Sequence, residues 1–262
     1  MPHKIPKILI IAGSDSGGGA GIQADIKAVT FFKGFAMTAV TAITAQNTLG
    51  VQSILNLPKE LVEQQIKSIT DDLPPQAVKI GMLGSSEIVD VINRNIFASK
   101  VVLDPVMVAT SGDKLINQDT IDNLIRKLIP KSFLVTPNLF EAEIIVGKSI
   151  TSVNEQIDAG KVIKKMGAKN VLIKGGHMKE SPKITDVLIC DNNKEYKFVN
   201  DRIKSKNTHG TGCSLASAIA CQVGNGFDVP ESVKTAIDYV HKGIVNAPDF
   251  GAGNGPILHF DA

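Results

Sequence analysis

The chain is 262 residues long, 43% of them apolar, and its 28 basic against 26 acidic side chains leave a net charge of +2. This length holds one large α/β domain or two small ones; the apolar share excludes a disordered chain, and the balanced charge gives neither a nucleic-acid stripe nor a membrane-binding tail. Three cysteines, Cys190, Cys213 and Cys221, show no CxxC spacing, so they suggest neither a disulfide framework nor a zinc site and fit a reducing interior.

The opening MPHKIPK is basic, but the apolar run after it is short and ends in a Gly-rich turn rather than a cleavage site. It reads as a first strand, Ile8 to Ala12, and not as a signal peptide. Gly13 to Gly21 is the loop of that strand. Ile22 to Phe32 has helical spacing, with Ile22, Ile26, Val29 and Phe32 available for one face. Ala36 to Thr44 reads as a second strand, and Val51 to Leu57 alternates as an edge or hairpin strand. Pro58, at the first helical position, opens a helix through about Thr70. Ala77 to Ile80 and Val101 to Leu103 are short strands on either side of a helix from about Ser86 to Phe97. Ile116 to Ile129 is helical and ends at Pro130; Phe133 to Val135 is a strand; Leu139 to Val146 is a helix that Gly147 stops. A helix from Val153 to Met166 precedes the strand Val171 to Ile173, and Ile184 to Val199 holds two strands divided by DNNKEYK. Two further helices are Thr211 to Val223 and Glu231 to Asn246. No run reaches the ~18 apolar residues a membrane span needs, so a soluble, cytoplasmic protein is expected.

Strand and helix alternate over most of the length, which predicts an α/β fold with a mostly parallel central sheet and helices on both faces. No linker, composition shift or internal repeat divides it, so residues 1–262 read as a single domain. In such sheets the ligand lies beyond the carboxyl ends of the strands. Gly13 to Gly21, Gln46, Gly81 and Met82, Asp104, Asn138, and Lys174 to Gly176 all follow predicted strands.

The first loop, AGSDSGGGAGIQAD, invites a dinucleotide reading through Gly19, Gly21 and Ala24, but that fingerprint wants an acidic residue about 20 positions on. None exists between Asp25 and Glu60, which argues against a nicotinamide dehydrogenase. A Walker loop is also missing, since Gly147-Lys148-Ser149 has Ala142 where the first glycine should be. Asp25, placed in the first turn of its helix, complements the helix dipole or serves a site. Asp104 ends a strand ahead of Pro105. Asn138 and Glu141 form either a capping pair or, for Glu141 together with Asp104, a place for Mg²⁺, which prefers one or two carboxylates plus substrate phosphates. Lys174, before two glycines, is either a solvated strand end or a point charge for phosphate. His3, His209, His241 and His259 show no metal-ligand spacing and receive no catalytic role. In NTHGTGCSLASA, Asn207 to Ala218, glycines precede a helix whose free N–H groups and dipole make an anion site. Cys213 falls in its first turn, where that field is expected to lower a thiol pKa unless the residue is ordinary core.

Taken together, these motifs resemble the hydroxymethylpyrimidine and hydroxymethylpyrimidine-phosphate kinases of thiamine biosynthesis, in the ribokinase-like superfamily. The matching stretches, in order, are AGSDSGGGAGIQAD, TAQNT, KIGML, LDPVM, TPNLFEAE, KGGH and NTHGTGCSLASA, with NGPILHF (Asn254 to Phe260) similar to the family's C-terminus. The first loop departs slightly, many members having proline or threonine near Ser16. The resemblance implies a ribokinase-like kinase that moves the γ-phosphate of ATP to the hydroxymethyl of 4-amino-5-hydroxymethyl-2-methylpyrimidine and then phosphorylates the monophosphate. By the same resemblance Gly13, Asp25, Gln46, Met82 and Val106 line the pyrimidine pocket, and the Gln46 amide suits an aminopyrimidine edge. Gly210, Thr211 and Gly212 form the anion hole, and Cys213, as thiolate, stands where many sugar-kinase relatives carry an aspartate base. Asn138, Lys174 and Thr208 face the nucleotide, and Asp104 and Glu141 lie near Mg²⁺. A homodimer is also implied, with Val51 to Leu57 in a flap or contact surface. A pyridoxal kinase of the same superfamily is the nearest rival, since pyridoxal also carries a hydroxymethyl on an aromatic ring. A non-catalytic binding protein on this fold is opposed by the complete set Asp104, Asn138, Glu141 and Gly210 to Cys213.

Overall fold

The computed structural model of the chain describes residues 5–96, 100–108, 115–178 and 181–260. Along them run β1 (Lys7–Asp15), α1 (Gly21–Phe31), β2 (Phe35–Asn47), β3 (Gly50–Asn56), α2 (Lys59–Asp72), β4 (Ala77–Ile80), α3 (Ser86–Asn95) and β5 (Lys100–Leu103). There follow α4 (Gln118–Lys127), β6 (Leu134–Val135), α5 (Leu139–Val146), α6 (Val153–Lys165), β7 (Asn170–Ile173), β8 (Lys183–Ile189), β9 (Glu195–Asp201), α7 (Thr211–Gly224) and α8 (Val229–Val245). The described strands form one sheet in the order β3-β2-β1-β4-β5-β6-β7-β8-β9. From β2 to β7 in that order every pairing is parallel, while β3, β8 and β9 pair antiparallel at the two edges. The short apolar runs of the central strands suit this position, because a parallel sheet is covered on both faces.

Alternation along β1 shows the two layers directly. Leu9 and Ile11 pack with Val62, Ile88, Leu124 and Ile163 on the face covered by α2 to α6. Ile8 and Ile10 pack with Val29, Ala216, Ile219 and Ala236 on the face covered by α1, α7 and α8. The expected mostly parallel sheet with helices on both faces is therefore present. No described helix is long and apolar enough to cross a membrane.

Several boundaries differ from the sequence reading, each for a local reason. β1 runs on to Asp15, so the loop is only residues 16–20. Pro58 caps α2 from outside rather than occupying its first turn. α4 starts after Asn117, whose Oδ1 accepts the Thr120 N–H at 3.0 Å, and Pro130 lies in a separate 3₁₀ turn, Ile129–Lys131. The hairpin divider is shorter than DNNKEYK, because Cys190 N–H donates to Lys194 O and β9 begins at Glu195. Phe97, the expected end of α3, and His3 lie outside the described residues. On α1 the buried residues are Ala24, Asp25, Ala28 and Val29, whereas Ile26 is exposed and Ile22 and Phe32 are half-buried. This face packs against α7, whose own buried residues are mostly small, so bulk is unnecessary where the two helices meet.

Candidate active site

A cavity of about 840 Å³ opens at the carboxyl ends of the parallel strands. Every residue that the family resemblance assigns to the site lines it except Asp25. Its lining includes Gly13, Gln46, Met82 and Val106, and the apolar residues Ile203, Leu215, Ile237, Val240 and Ile244. The same lining carries the charged groups Asp104, Glu141 and Lys174 and the open end of α7.

The turn before α7 has the geometry expected of an anion site. Gly210 adopts φ 78°, in the left-handed region, and a Cβ there would fall on the Gly19 carbonyl oxygen. Thr211 N–H and Oγ1 both donate to Thr208 O, at 3.3 and 3.0 Å, and Ser214 N–H reaches back to Gly210 O at 2.9 Å. The N–H groups of Gly212 and Cys213 sit in the first turn, where a helix provides no internal acceptor. A Cβ on Gly212 would lie 3.2 Å from Lys174 Nζ and 3.6 Å from Asp104 Oδ2, so an ammonium and a carboxylate converge on this helix end.

Lys174 is not a solvated strand end. Its Nζ donates to Asp104 Oδ1 at 2.8 Å, and that oxygen also accepts from Thr136 Oγ1 at 3.1 Å. Burial works against the Lys174 ammonium, but Asp104 and Glu141 outweigh it and hold its pKa above the usual lysine value. Asn138 and Glu141 do form the capping box: Asn138 Oδ1 accepts the Glu141 N–H at 2.9 Å, and Glu141 Oε2 accepts the Asn138 N–H at 2.8 Å. The cap and the site reading are compatible, since the capped carboxylate still lines the cavity. Burial pushes the Glu141 carboxyl up to about 7, with Asp104 adding to the rise against the pull of Lys174. Two buried carboxylates lining one cavity, Asp104 and Glu141, fit a hard divalent cation of the Mg²⁺ type. No cluster of three or more acidic, histidine or cysteine ligands occurs among the described residues.

Two expectations are corrected. Asp25 lies in the second turn of α1, neither complementing the dipole nor touching the cavity. Both its oxygens accept from Lys79 Nζ, at 2.8 and 2.7 Å, and Oδ1 also accepts from Ser217 Oγ at 2.7 Å, with the Asp25 and Lys79 side chains fully buried. Burial disfavours the Lys79 ammonium, and Asp25 more than compensates, so Lys79 stays charged. Cys213 does sit in the first turn of α7, yet its thiol is not lowered. Its desolvated surroundings, with Asp25 and Asp104 nearby, push it up to about 11, the opposing field of Lys79 being insufficient. Alkylation of Cys213 by iodoacetamide, followed by mass spectrometry, should therefore be slow at pH 7.5 and accelerate toward pH 11. Fast labelling at pH 7 would restore the thiolate.

Three contributors were not singled out as site residues. Asp15, 2% exposed, accepts the N–H groups of Gly17, Gly19 and Ala20 at 2.8, 3.0 and 2.7 Å. The amides of the first glycine loop are thus spent on an internal carboxylate, a second physical reason against a dinucleotide cradle. His209 donates from Nε2 to Asp15 Oδ2 at 2.8 Å, the tautomer a carboxylate acceptor demands. Burial tends to raise the Asp15 carboxyl, and the hydrogen bonds from His209, Ala20 and Gly17 outweigh it and bring it below its ordinary value. Lys79 lines the cavity floor, and a Cβ on Gly81 would lie 2.8 Å from its Nζ. A lone lysine inside the apolar run AVKI was the available signal for Lys79, and Asp-x-Gly, an Asx-turn pattern, was the signal for Asp15.

Known proteins bear on this arrangement. Residues 15–258 match the family model described as phosphomethylpyrimidine kinase. The hydroxymethylpyrimidine/phosphomethylpyrimidine kinase of Bacillus subtilis (strain 168) is 42% identical over 259 residues, which is 98% of this chain and 95% of that one. Among solved structures, phosphomethylpyrimidine kinase from Clostridium difficile 630 is similar with TM-score 0.80 and 39% identity, over 92% of this chain and 100% of the other. An ADP complex of Bacillus subtilis pyridoxal kinase is similar with TM-score 0.90 and 32% identity, over 98% of each chain.

Proposed function

The chain belongs to the phosphomethylpyrimidine kinase family, and we propose that it transfers the γ-phosphate of ATP to the hydroxymethyl of 4-amino-5-hydroxymethyl-2-methylpyrimidine and then phosphorylates the monophosphate to the diphosphate, in thiamine biosynthesis. The observation that carries this reading is the convergence of Lys174 and Asp104 on the open end of α7, inside a cavity that also holds Gln46. Residues 1–262 act as one kinase domain in this reading.

The acceptor ring lies against Gly13, Met82 and Val106, with the Gln46 amide on its polar edge. Gln46 is placed for this by its backbone: Ser16 Oγ donates to Gln46 O and accepts from Gln46 N–H, each at 2.8 Å. Asn138, Lys174 and Thr208 hold the nucleotide phosphates, and the apolar residues of the lining receive the base. Phosphoryl transfer spreads negative charge over the migrating oxygens, so positioning and charge neutralisation do most of the work. The N–H groups of Gly212 and Cys213, the α7 dipole and Lys174 oppose that charge from fixed positions. Cys213, a neutral thiol at rest, cannot take up a second proton; it orients the hydroxyl, whose proton passes late, after the loose transition state has formed, to an oxygen of the transferred phosphoryl group. Asp104 and Glu141 would hold Mg²⁺, which supplies charge neutralisation to the phosphates when bound. We also assign the protein to the cytoplasm, consistent with the free thiols Cys190, Cys213 and Cys221, a location that cell fractionation tests. A homodimer joined through β3 is supported by the exposed Ile54 and Leu55 on that edge strand; light scattering that returns the mass of one chain would overturn it.

The likeness to a pyridoxal kinase favours one second reading, phosphorylation of pyridoxal. A panel decides between them: purified protein with Mg²⁺ and ATP is offered hydroxymethylpyrimidine, its monophosphate, pyridoxal and pyridoxine, with products resolved by mass. Both pyrimidines should be phosphorylated, and excess chelator should abolish turnover until Mg²⁺ is restored. Turnover of pyridoxal without any pyrimidine product would overturn the assignment.

A further inference from the structure

The C-terminal stretch from Asp249 to Leu258 has no part in the scheme above, yet it is stitched to both turns that frame the acceptor end of the cavity. Asn254 N–H donates to Thr48 O at 2.8 Å, and Gly253 N–H donates to Thr48 Oγ1 at 3.3 Å. Thr48 lies two residues beyond Gln46. On the other side Gly255 O accepts the His209 N–H at 3.0 Å, Pro256 pairs with His209 as an isolated bridge, and Asn207 Nδ2 donates to Asp249 Oδ1 at 2.8 Å. His209 immediately precedes Gly210. The far end is anchored on α8, where Leu258 N–H donates to Gly243 O at 3.0 Å.

The sequence is built for these crossings. In GAGNG, a Cβ on Gly251 would strike the Thr48 side chain, one on Gly253 the Thr48 carbonyl, and one on Gly255 the Asn207 Oδ1. Alternate glycines thus stand wherever the segment crosses another turn, at a separation only a residue without a Cβ allows. None of the hydrogen-bond partners named above is among Ile203, Leu215, Ile237, Val240 and Ile244.

We propose that residues 249–258 are a strap that positions Gln46 and His209 relative to each other, and so sets the shape of the acceptor end of the cavity while leaving the nucleotide end untouched. Only the identity of the substrate that feels the strap rests on the kinase reading; the coupling of the two turns does not. The strap residues are positioning residues, acting through Thr48 and His209.

Two variants test it. Gly253→Ala places a methyl group against a backbone carbonyl that cannot swing away, and Thr48→Val removes one acceptor while keeping the shape. Hydrogen exchange read by mass spectrometry on the whole protein should rise about tenfold or more in peptides spanning 44–50 and 207–212 of Gly253→Ala, with the central strands unchanged. Thr48→Val should show a smaller rise in the same two places. In turnover, the KM for the acceptor should rise about tenfold in Gly253→Ala, with the KM for ATP within about twofold of the parent. Exchange that rises in only one turn, in neither, or throughout the molecule overturns the strap. So does a folded Gly253→Ala protein whose two KM values move together. If the parent protein phosphorylates none of the panel, the kinase reading fails and the exchange result alone decides the strap.

Discussion

Replacing Lys79 by methionine is expected to destabilise the fold by about 3–5 kcal/mol, because it leaves the Asp25 carboxylate buried without its counter-charge. Lys79 and Asp25 are both fully excluded from solvent, and only Ser217 Oγ would remain on Asp25. The loss should appear as a fall in the midpoint of urea denaturation at unchanged slope. Converting both partners, Lys79→Met with Asp25→Leu, should recover most of the loss, since a buried ion pair exchanged for apolar groups is often neutral or stabilising. Ser217 can then turn its hydroxyl to the carbonyl one helical turn back. A single variant within about 1 kcal/mol of the parent would mean that water reaches this pair, contrary to its burial.

Gly210→Ala should lower kcat by a factor on the order of 10²–10³, the scale seen when a preorganised anion donor is displaced. Two effects combine. The residue sits at φ 78°, which costs an L-residue roughly 1–2 kcal/mol. Its new methyl would also meet the Gly19 carbonyl, backbone against backbone, so the turn itself must move. Binding of an ATP analogue, measured by calorimetry, should weaken less than kcat falls, because these amides matter most when charge has spread over the transferred oxygens. An alanine variant with kcat within threefold of the parent would remove the turn from the chemistry.

The features legible in the sequence are those whose causes are local. α5 lies where its cap and stop residues place it: Asn138 and Glu141 close the capping box, and Gly147 ends the helix at φ 70°. β4 coincides with the apolar run Ala77 to Ile80. The glycine turn before α7 was recognisable because loop, small residues and helix are consecutive. What escaped depends on partners far along the chain. The dipole argument for Asp25 could not see Lys79, 54 residues away, and the lowered thiol expected for Cys213 took account of its helix but not of the burial and carboxylates around it. His209 looked idle because its partner, Asp15, stands 194 residues earlier. Of the apolar face assigned to α1, Val29 is buried and Ile22 and Phe32 pack against the core, but Ile26 is exposed and Ala24 and Ala28 take the centre, because helical periodicity reports bulk whereas the helix opposite calls for small residues.

The C-terminal segment has a consequence for the timing of biosynthesis. Chain growth is vectorial, and domains acquire structure as they emerge. The sheet can be assembled once β9 has left the ribosome, but Thr48 meets Gly253 only after another 205 residues of chain have followed it. The acceptor end therefore closes later in synthesis than the sheet does. A nascent chain arrested before Gly253 would carry the sheet and the open end of α7, with Gln46 held by Ser16 and His209 by Asp15 but neither yet by residues 249–258. Closure of the strap, rather than formation of the sheet, then marks the moment at which the acceptor end takes its final shape.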